Sequence, residues 1–220
     1  MKPFAIVCSA LFAVTTLGGA TPPATPAAKV VGEWTVLFNG KDLTGWTNAA
    51  GGESKWAVED GVMTGKKGCG DIWTKDRFGD FVLEVEFKTT GNSGVFIRTD
   101  NPKDNVQTGI EIQVERPGGP DRHSVGSLYD LVAPGKDASK ADAWNKYVIT
   151  AQGPQITVVL NGETVCHMDL DQWTQAGKNP DGSPNKFKRA LKDWKREGHL
   201  GLQDHGAVVS YRNLRVRKLP

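Results

Sequence analysis

The run Gly109-Ile-Glu-Ile-Gln-Val-Glu115 carries the residues best suited to acid–base chemistry. Side chains alternate along an extended chain, so Ile110, Ile112 and Val114 share one face while Glu111, Gln113 and Glu115 share the other. A polar outer face is common on half-exposed strands and does not by itself point to function. The preceding run adds a cation. Asn92-Ser-Gly94 leads into Val95-Phe-Ile-Arg98, where Phe96 and Arg98 share a face. Arg98 is expected to meet Glu111 on a concave sheet face and to keep its carboxylate ionised. An ionised carboxylate serves as a base, and a guanidinium holds a developing oxyanion. Glu86, on the wetter face of its own strand, is expected to join them.

Gly201-Leu-Gln-Asp-His-Gly206 forms a second cluster. A histidine held between Asp204 and Gly206 at a strand end exchanges a proton near neutral pH, which makes His205 a candidate acid and Asp204 a candidate ligand to substrate. His123 and His167 stand alone, and His199 opens an apolar strand and reads as structural. No HExxH, paired CxxC or acidic calcium loop is present. A divalent metal held by Glu111 and His205 from distant strands stays open. No GxGxxG opens a helix, and no GxSxG occurs.

The elements that must position these residues are short strands between glycine-rich turns. Phe81–Lys88 alternates, with Phe81, Leu83, Val85 and Phe87 on one face. Ten or so such strands, with Asn39-Gly40, Asp60-Gly61 and Asn161-Gly162 as turn dipeptides, predict an all-β sandwich or barrel. Phe187, Ala190, Leu191 and Trp194, spaced i, i+3, i+4, i+7, predict one short amphipathic surface helix. The polar loop from Arg116 to Asp142 is long enough to carry function.

A positive start, an apolar run from Phe4 to Leu17 and small residues at 18–20 predict a cleaved signal peptide over residues 1–20. A Pro/Ala-rich spacer follows over 21–30, then one domain over 31–220, exported to the periplasm or secreted. No later run is apolar enough to insert in a membrane. The net charge of +2 gives no case for nucleic acid, and the basic run from Lys186 to Arg196 reads as a solvated face. Cys69 and Cys166 allow one disulfide, and pairing is left open.

Several motifs, in order, resemble the 3-keto-disaccharide hydrolase family. They are Leu37-Phe-Asn-Gly-Lys-Asp-Leu-Thr-Gly-Trp46, Trp56–Gly61, Asp80–Lys88, Gly91-Asn-Ser-Gly-Val-Phe-Ile-Arg98, Gly109–Gln113, Gly126-Ser-Leu-Tyr129, Trp144-Asn145, Gly201–Gly206 and Tyr211-Arg-Asn-Leu214. The resemblance implies an antiparallel jelly roll similar to concanavalin A-like lectins and glucanases, acting on glycosides oxidised to a ketone at sugar carbon 3. Two departures stand out. Val114-Glu115-Arg116 replaces a run that leads to an aspartate, and Lys88 stands where an arginine is usual.

The implied chemistry is proton abstraction at C2, acidified by the 3-ketone, then expulsion of the group on C1. Glu111 would be the base, Arg98 or a metal the enolate partner, and His205 the acid. Gln113, Asn92, Glu86, Tyr129 and Asp204 would bind substrate. Two other readings compete. One is a non-catalytic, lectin-like sugar binder, since this kind of fold hosts both. The other is a retaining glycosidase, for which Glu111 and Glu115, about 13 Å apart at Cα on one strand, would have to converge to about 5–5.5 Å.

Overall fold

Alternation in the longest strands decides where the core lies. The computed structural model describes residues 32–220; the leader and spacer expected over 1–30 lie outside the described residues. Its strands are β1 (Thr35–Val36), β2 (Trp46–Asn48), β3 (Ala57–Glu59), β4 (Val62–Gly65), β5 (Ile72–Thr74), β6 (Phe81–Thr89) and β7 (Ser93–Thr99). After these come β8 (Ile110–Val114), β9 (Asn145–Gln152), β10 (Gln155–Leu160), β11 (Glu163–Asp169), β12 (His199–Leu202) and β13 (Val209–Lys218). They form an antiparallel jelly-roll sandwich. The larger sheet runs β11-β10-β9-β6-β13-β4-β3 with β1 added on β13, and the smaller runs β2-β5-β12-β7-β8.

The sheets meet through their apolar faces. Leu83, Val85 and Phe87 of β6 and Tyr147, Ile149 and Ala151 of β9 pack toward Val95 and Ile97 of β7 and Ile110, Ile112 and Val114 of β8, all of them buried. Each large apolar side chain so buried is worth about 1.5–3 kcal/mol. Strand β8 is the edge of the smaller sheet, and the long loop after it covers that edge. Gln113 N–H donates to Ser127 O at 3.0 Å, Gly126 N–H to Gln113 O at 3.0 Å, and Tyr129 N–H to Glu111 O at 2.9 Å. A bare edge invites pairing with another chain; here the covering loop also carries Tyr129 to Glu111.

The helix expected from Phe187 to Trp194 does not form. Among the described residues the α-helix is α1 (Asn105–Thr108), and residues 187–194 hold only a single 3-10 turn, Leu191–Asp193. The apolar spacing was real, since Phe187, Leu191 and Trp194 are buried. They are buried from an irregular chain instead, tied down by Gly177 N–H to Phe187 O at 2.7 Å and Lys192 N–H to Trp173 O at 3.3 Å. Tertiary anchoring has overridden the helical pattern. Cys69 and Cys166 are buried, free thiols.

Candidate functional site

The register of the smaller sheet defines its outer, concave face. Trp73, Gly201, Phe96 and Glu111 stand side by side on β5, β12, β7 and β8. The neighbouring row is Asp71, Gln203, Gly94 and Gln113, by alternation and by the Gly94–Gln113 pair. Glycines in the two central strands let large side chains lie flat. A methyl group on Gly201 would stand 2.9 Å from Cη2 of Trp73, and one on Gly94 would stand 2.9 Å from Cγ of Glu111. The Trp73 and Phe96 rings are tilted against each other with centroids 5.4 Å apart, and both are buried although they face away from the core. The segment around α1 lies across this face: Asn105 Nδ2 donates to Asp71 Oδ2 at 2.7 Å, and Gln107 Nε2 to Lys186 O at 3.1 Å.

Glu111 sits in this setting as a carboxyl only 9% exposed. Burial pushes its pKa up to about 7; the Lys186 ammonium and a hydrogen bond from Gln203 pull it down, and the Asp71 charge pushes it further up. Lys186 Nζ stands 4.0 Å over the Tyr129 ring. Its own pKa is lowered by burial, with Glu111 and Asp130 opposing. Burial also raises the Tyr129 hydroxyl, helped by the charges of Glu111, Asp130 and Asp121. The His123 ring lies 4.7 Å from that of Tyr129.

On the other wall, burial raises the Asp71 carboxyl. The charge of Asp204 adds to the rise, while hydrogen bonds from Asp204 N–H and Asn105 and the nearby His205 oppose it. His205 itself is exposed at the rim. Gln113 Oε1, Gln203 Oε1 and Ser127 Oγ are buried without hydrogen-bond partners. Two of these are pure acceptors, which suits a ligand that presents hydroxyl donors.

Of the residues expected from the sequence, Glu111, Gln113, Tyr129 and His205 gather at this face, and Asn92 lies at its open end beside Ser93 of β7. Three others are placed differently. Arg98 does not meet Glu111. A bulge where β12 pairs with β7 and a φ of 50° at Arg98 turn the side chain inward. Its guanidinium donates to Gly79 O at 2.9 Å, Gly153 O at 2.7 Å and Asp80 Oδ1 at 2.8 Å. Burial lowers its pKa to about 10, with Asp80 opposing. The alternation that put Arg98 with Phe96 fails because a bulge resets the face.

Glu86 lies on the outer face of the larger sheet, paired with Arg212 at 2.8 Å. It is on the opposite side of the sandwich from Glu111 because β6 belongs to the other sheet. Asp204 is committed to the backbone. Its Oδ2 accepts from Gly68 N–H and Gly70 N–H, each at 2.9 Å, and its Oδ1 from Gly206 N–H at 3.0 Å. It therefore holds the loop that leads to Asp71, and its own N–H donates to Asp71 Oδ1 at 2.8 Å. Among the described residues, no group of three or more His, Cys, Asp or Glu could hold a metal ion, so Glu111 and His205 have no third ligand of that kind.

Asp71, Gln203 and Lys186 were missed from the sequence. Alternation gave a signal for two of them, since Asp71 precedes Ile72 and Gln203 follows Leu202, both core residues. Lys186 gave none, because its place depends on an irregular loop.

Comparison with known proteins shows the family and the fold. The family model of a 3-keto-alpha-glucoside-1,2-lyase-like domain matches residues 33–217. A 3-keto-disaccharide hydrolase of Bacteroides thetaiotaomicron is 29% identical, over 83% of this chain and 77% of that protein. A crystal structure from Parabacteroides distasonis, of a protein named only as a candidate glycosyl hydrolase, is 32% identical with a TM-score of 0.76, over 85% of this chain and 100% of that one. A Bacillus subtilis protein of galectin-like fold, 14% identical with a TM-score of 0.56 over 87% of this chain and 98% of that one, is similar in fold alone.

Proposed function

Because the chain belongs to the 3-keto-alpha-glucoside-1,2-lyase-like family, we propose that it cleaves the glycosidic bond of 3-keto-glycosides, with Glu111 as the base. The observation that carries this reading is a buried carboxyl with a pKa of about 7, beside an ammonium and buried orphan acceptors. A base is most effective when its pKa lies near the working pH.

In the proposed reaction Glu111 takes the proton from C2, and the electron pair passes into the C3 carbonyl to give an enolate. Lys186, in place of Arg98, supplies the positive charge that favours the enolate oxygen. The enolate collapses, a C1–C2 double bond forms and the C1–O bond breaks. The leaving oxygen takes a proton from His205, the acid at the rim. Release at this point is a lyase outcome. Addition of water at C1, its proton passing to His205 while Glu111 returns the held proton to C2, gives net hydrolysis and restores both groups. Gln113 and Gln203 orient sugar hydroxyls through their free carbonyl oxygens, and Tyr129 packs against the ring. The pattern over residues 1–20 supports an enzyme that works in the periplasm or outside the cell.

The test is to incubate the purified mature protein with a 3-keto-glucoside, with and without chelator, and to follow the released alcohol by mass spectrometry. Release by the wild type and its loss in Glu111→Gln support the reading. Sugar binding without release in either protein would mark a binding domain instead.

A further inference from the structure

Lys186 comes to the site from an irregular loop, and its ammonium belongs to no ion pair among the described residues. Two adjacent residues of the loop after β8 grip it instead. Lys186 Nζ stands 4.0 Å over the Tyr129 ring, and Lys186 N–H donates to Asp130 Oδ2 at 2.7 Å. Neighbours in an extended chain point to opposite faces. A φ of 65° at Asp130 breaks that alternation, so both side chains reach the same lysine. The grip is also fixed relative to the carboxylate, because Tyr129 N–H donates to Glu111 O at 2.9 Å.

Asp130 is itself held from several sides. Its N–H donates to Arg122 O at 2.9 Å. Its Oδ1 lies 3.5 Å from His123 Nε2, and its side chain is 20% exposed. Its carbonyl accepts from Asn179 Nδ2 at 3.4 Å. Asn179 is buried and accepts from Trp173 Nε1–H at 2.8 Å, which ties Asp130 to the loop that carries Lys186. Arg122 joins the same two loops through Ser183 Oγ and Asp181 Oδ2, each at 2.7 Å. The Lys186 carbonyl accepts from Gln107 Nε2 at 3.1 Å, so the backbone of Lys186 is pinned on both sides.

We propose that Asp130 is a positioning residue for the reaction, holding the Lys186 backbone so that the ammonium stays beside Glu111. The inference rests on the catalytic reading above. A charge that stabilises a developing enolate works from a fixed place, and a misplacement of about 1 Å can cost about a hundredfold in rate. Asp130 acts through Lys186 and touches no substrate.

Two substitutions separate its hydrogen bond from its charge. Asp130→Asn drops the charge and keeps an acceptor for Lys186 N–H, whereas Asp130→Gly drops both, and each replacement tolerates a positive φ. Glu111 faces Lys186, Asp71 and Tyr129, and Asp130 faces His123, Lys186 and Tyr129. The two variants therefore share one charge change and differ in the hydrogen bond.

The experiment measures kcat, KM and the pH profile on a 3-keto-glucoside for wild type and both variants. It also records the proton shift of the Lys186 Cε methylene, which the Tyr129 ring current moves upfield. Asp130→Gly is expected to lose about tenfold or more in kcat, with KM changed less than about twofold. Its rising limb of kcat/KM should move to higher pH, because Lys186 no longer lowers the pKa of Glu111, and the Lys186 shift should return to that of a free lysine. Asp130→Asn should stay near wild type in all of these. Equal losses in the two variants, or an Asp130→Gly with wild-type kcat and limb, overturn the proposal. A wild type without turnover overturns the catalytic reading instead. The Lys186 shift then decides the grip alone, lost in Asp130→Gly if Asp130 holds the lysine and unchanged if it does not.

Discussion

Glu111 folds back across Gly94 on the neighbouring strand, close enough that a methyl group there would stand 2.9 Å from its Cγ and nearer still to Oε1. The carboxyl is thus held in place by the lack of a side chain opposite it. That position keeps it buried beside Gln203, and burial is what brings its pKa to about 7.

Gly94→Ala is expected to push Glu111 out of this position. Overpacking of this sort costs about 1–3 kcal/mol, readable as a lower urea midpoint at constant m. Turnover should fall by much more than stability does, because the base loses its burial. A variant with normal kcat would mean that the position of Glu111 is not critical.

The pH profile should follow Glu111. As the base it must be ionised, so the rising limb of kcat/KM is expected at a pKa of about 7. Lys186→Met removes a charge that lowers this pKa, so the rising limb should move to higher pH and kcat should fall. A limb that stays in place would separate Lys186 from Glu111.

Stability should show the same group with the opposite sign. Folded Glu111 keeps its proton to about 7, against an ordinary 4.5, so between these values the folded state binds more protons than the unfolded state. Its contribution is complete below pH 4.5 and is lost as pH rises through 7, a change of about 3 kcal/mol at most. Glu111→Gln should flatten this slope and be more stable than wild type at pH 8, as read by denaturant melts at several pH values.

Arg98 should act as part of the scaffold. Arg98→Ala leaves Asp80 and the carbonyls of Gly79 and Gly153 without their partner, at a cost of about 3–5 kcal/mol. At a temperature where the variant stays folded, its KM and pH profile should match those of wild type. A changed pH limb would bring Arg98 back to the active site.

Alternation made much of this legible. It assigned the buried faces of β6 and β8, and it put Glu111 and Gln113 together on a polar face because no bulge interrupts β8. It failed at Arg98, where a single bulge reversed the side chain, and bulges leave little trace in a local pattern. It could not say that Glu86 and Glu111 lie on different sheets, since strand order is set by long-range pairing. The spacing of Phe187, Leu191 and Trp194 gave their burial correctly and their conformation wrongly. Lys186, counted as one of a solvated basic run, came to the carboxylate only through the path of an irregular loop.

The bulge at Arg98 separates inheritance of the scaffold from inheritance of the reaction. Once it turns the strand's own arginine inward to lock Asp80, the positive charge beside Glu111 comes from a loop instead. On the proposed reading, substitutions around Lys186 would retune the reaction without disturbing the sheets, and substitutions around Arg98 would alter robustness without changing the chemistry. A lineage built this way would have two nearly independent dials, one for durability and one for reactivity.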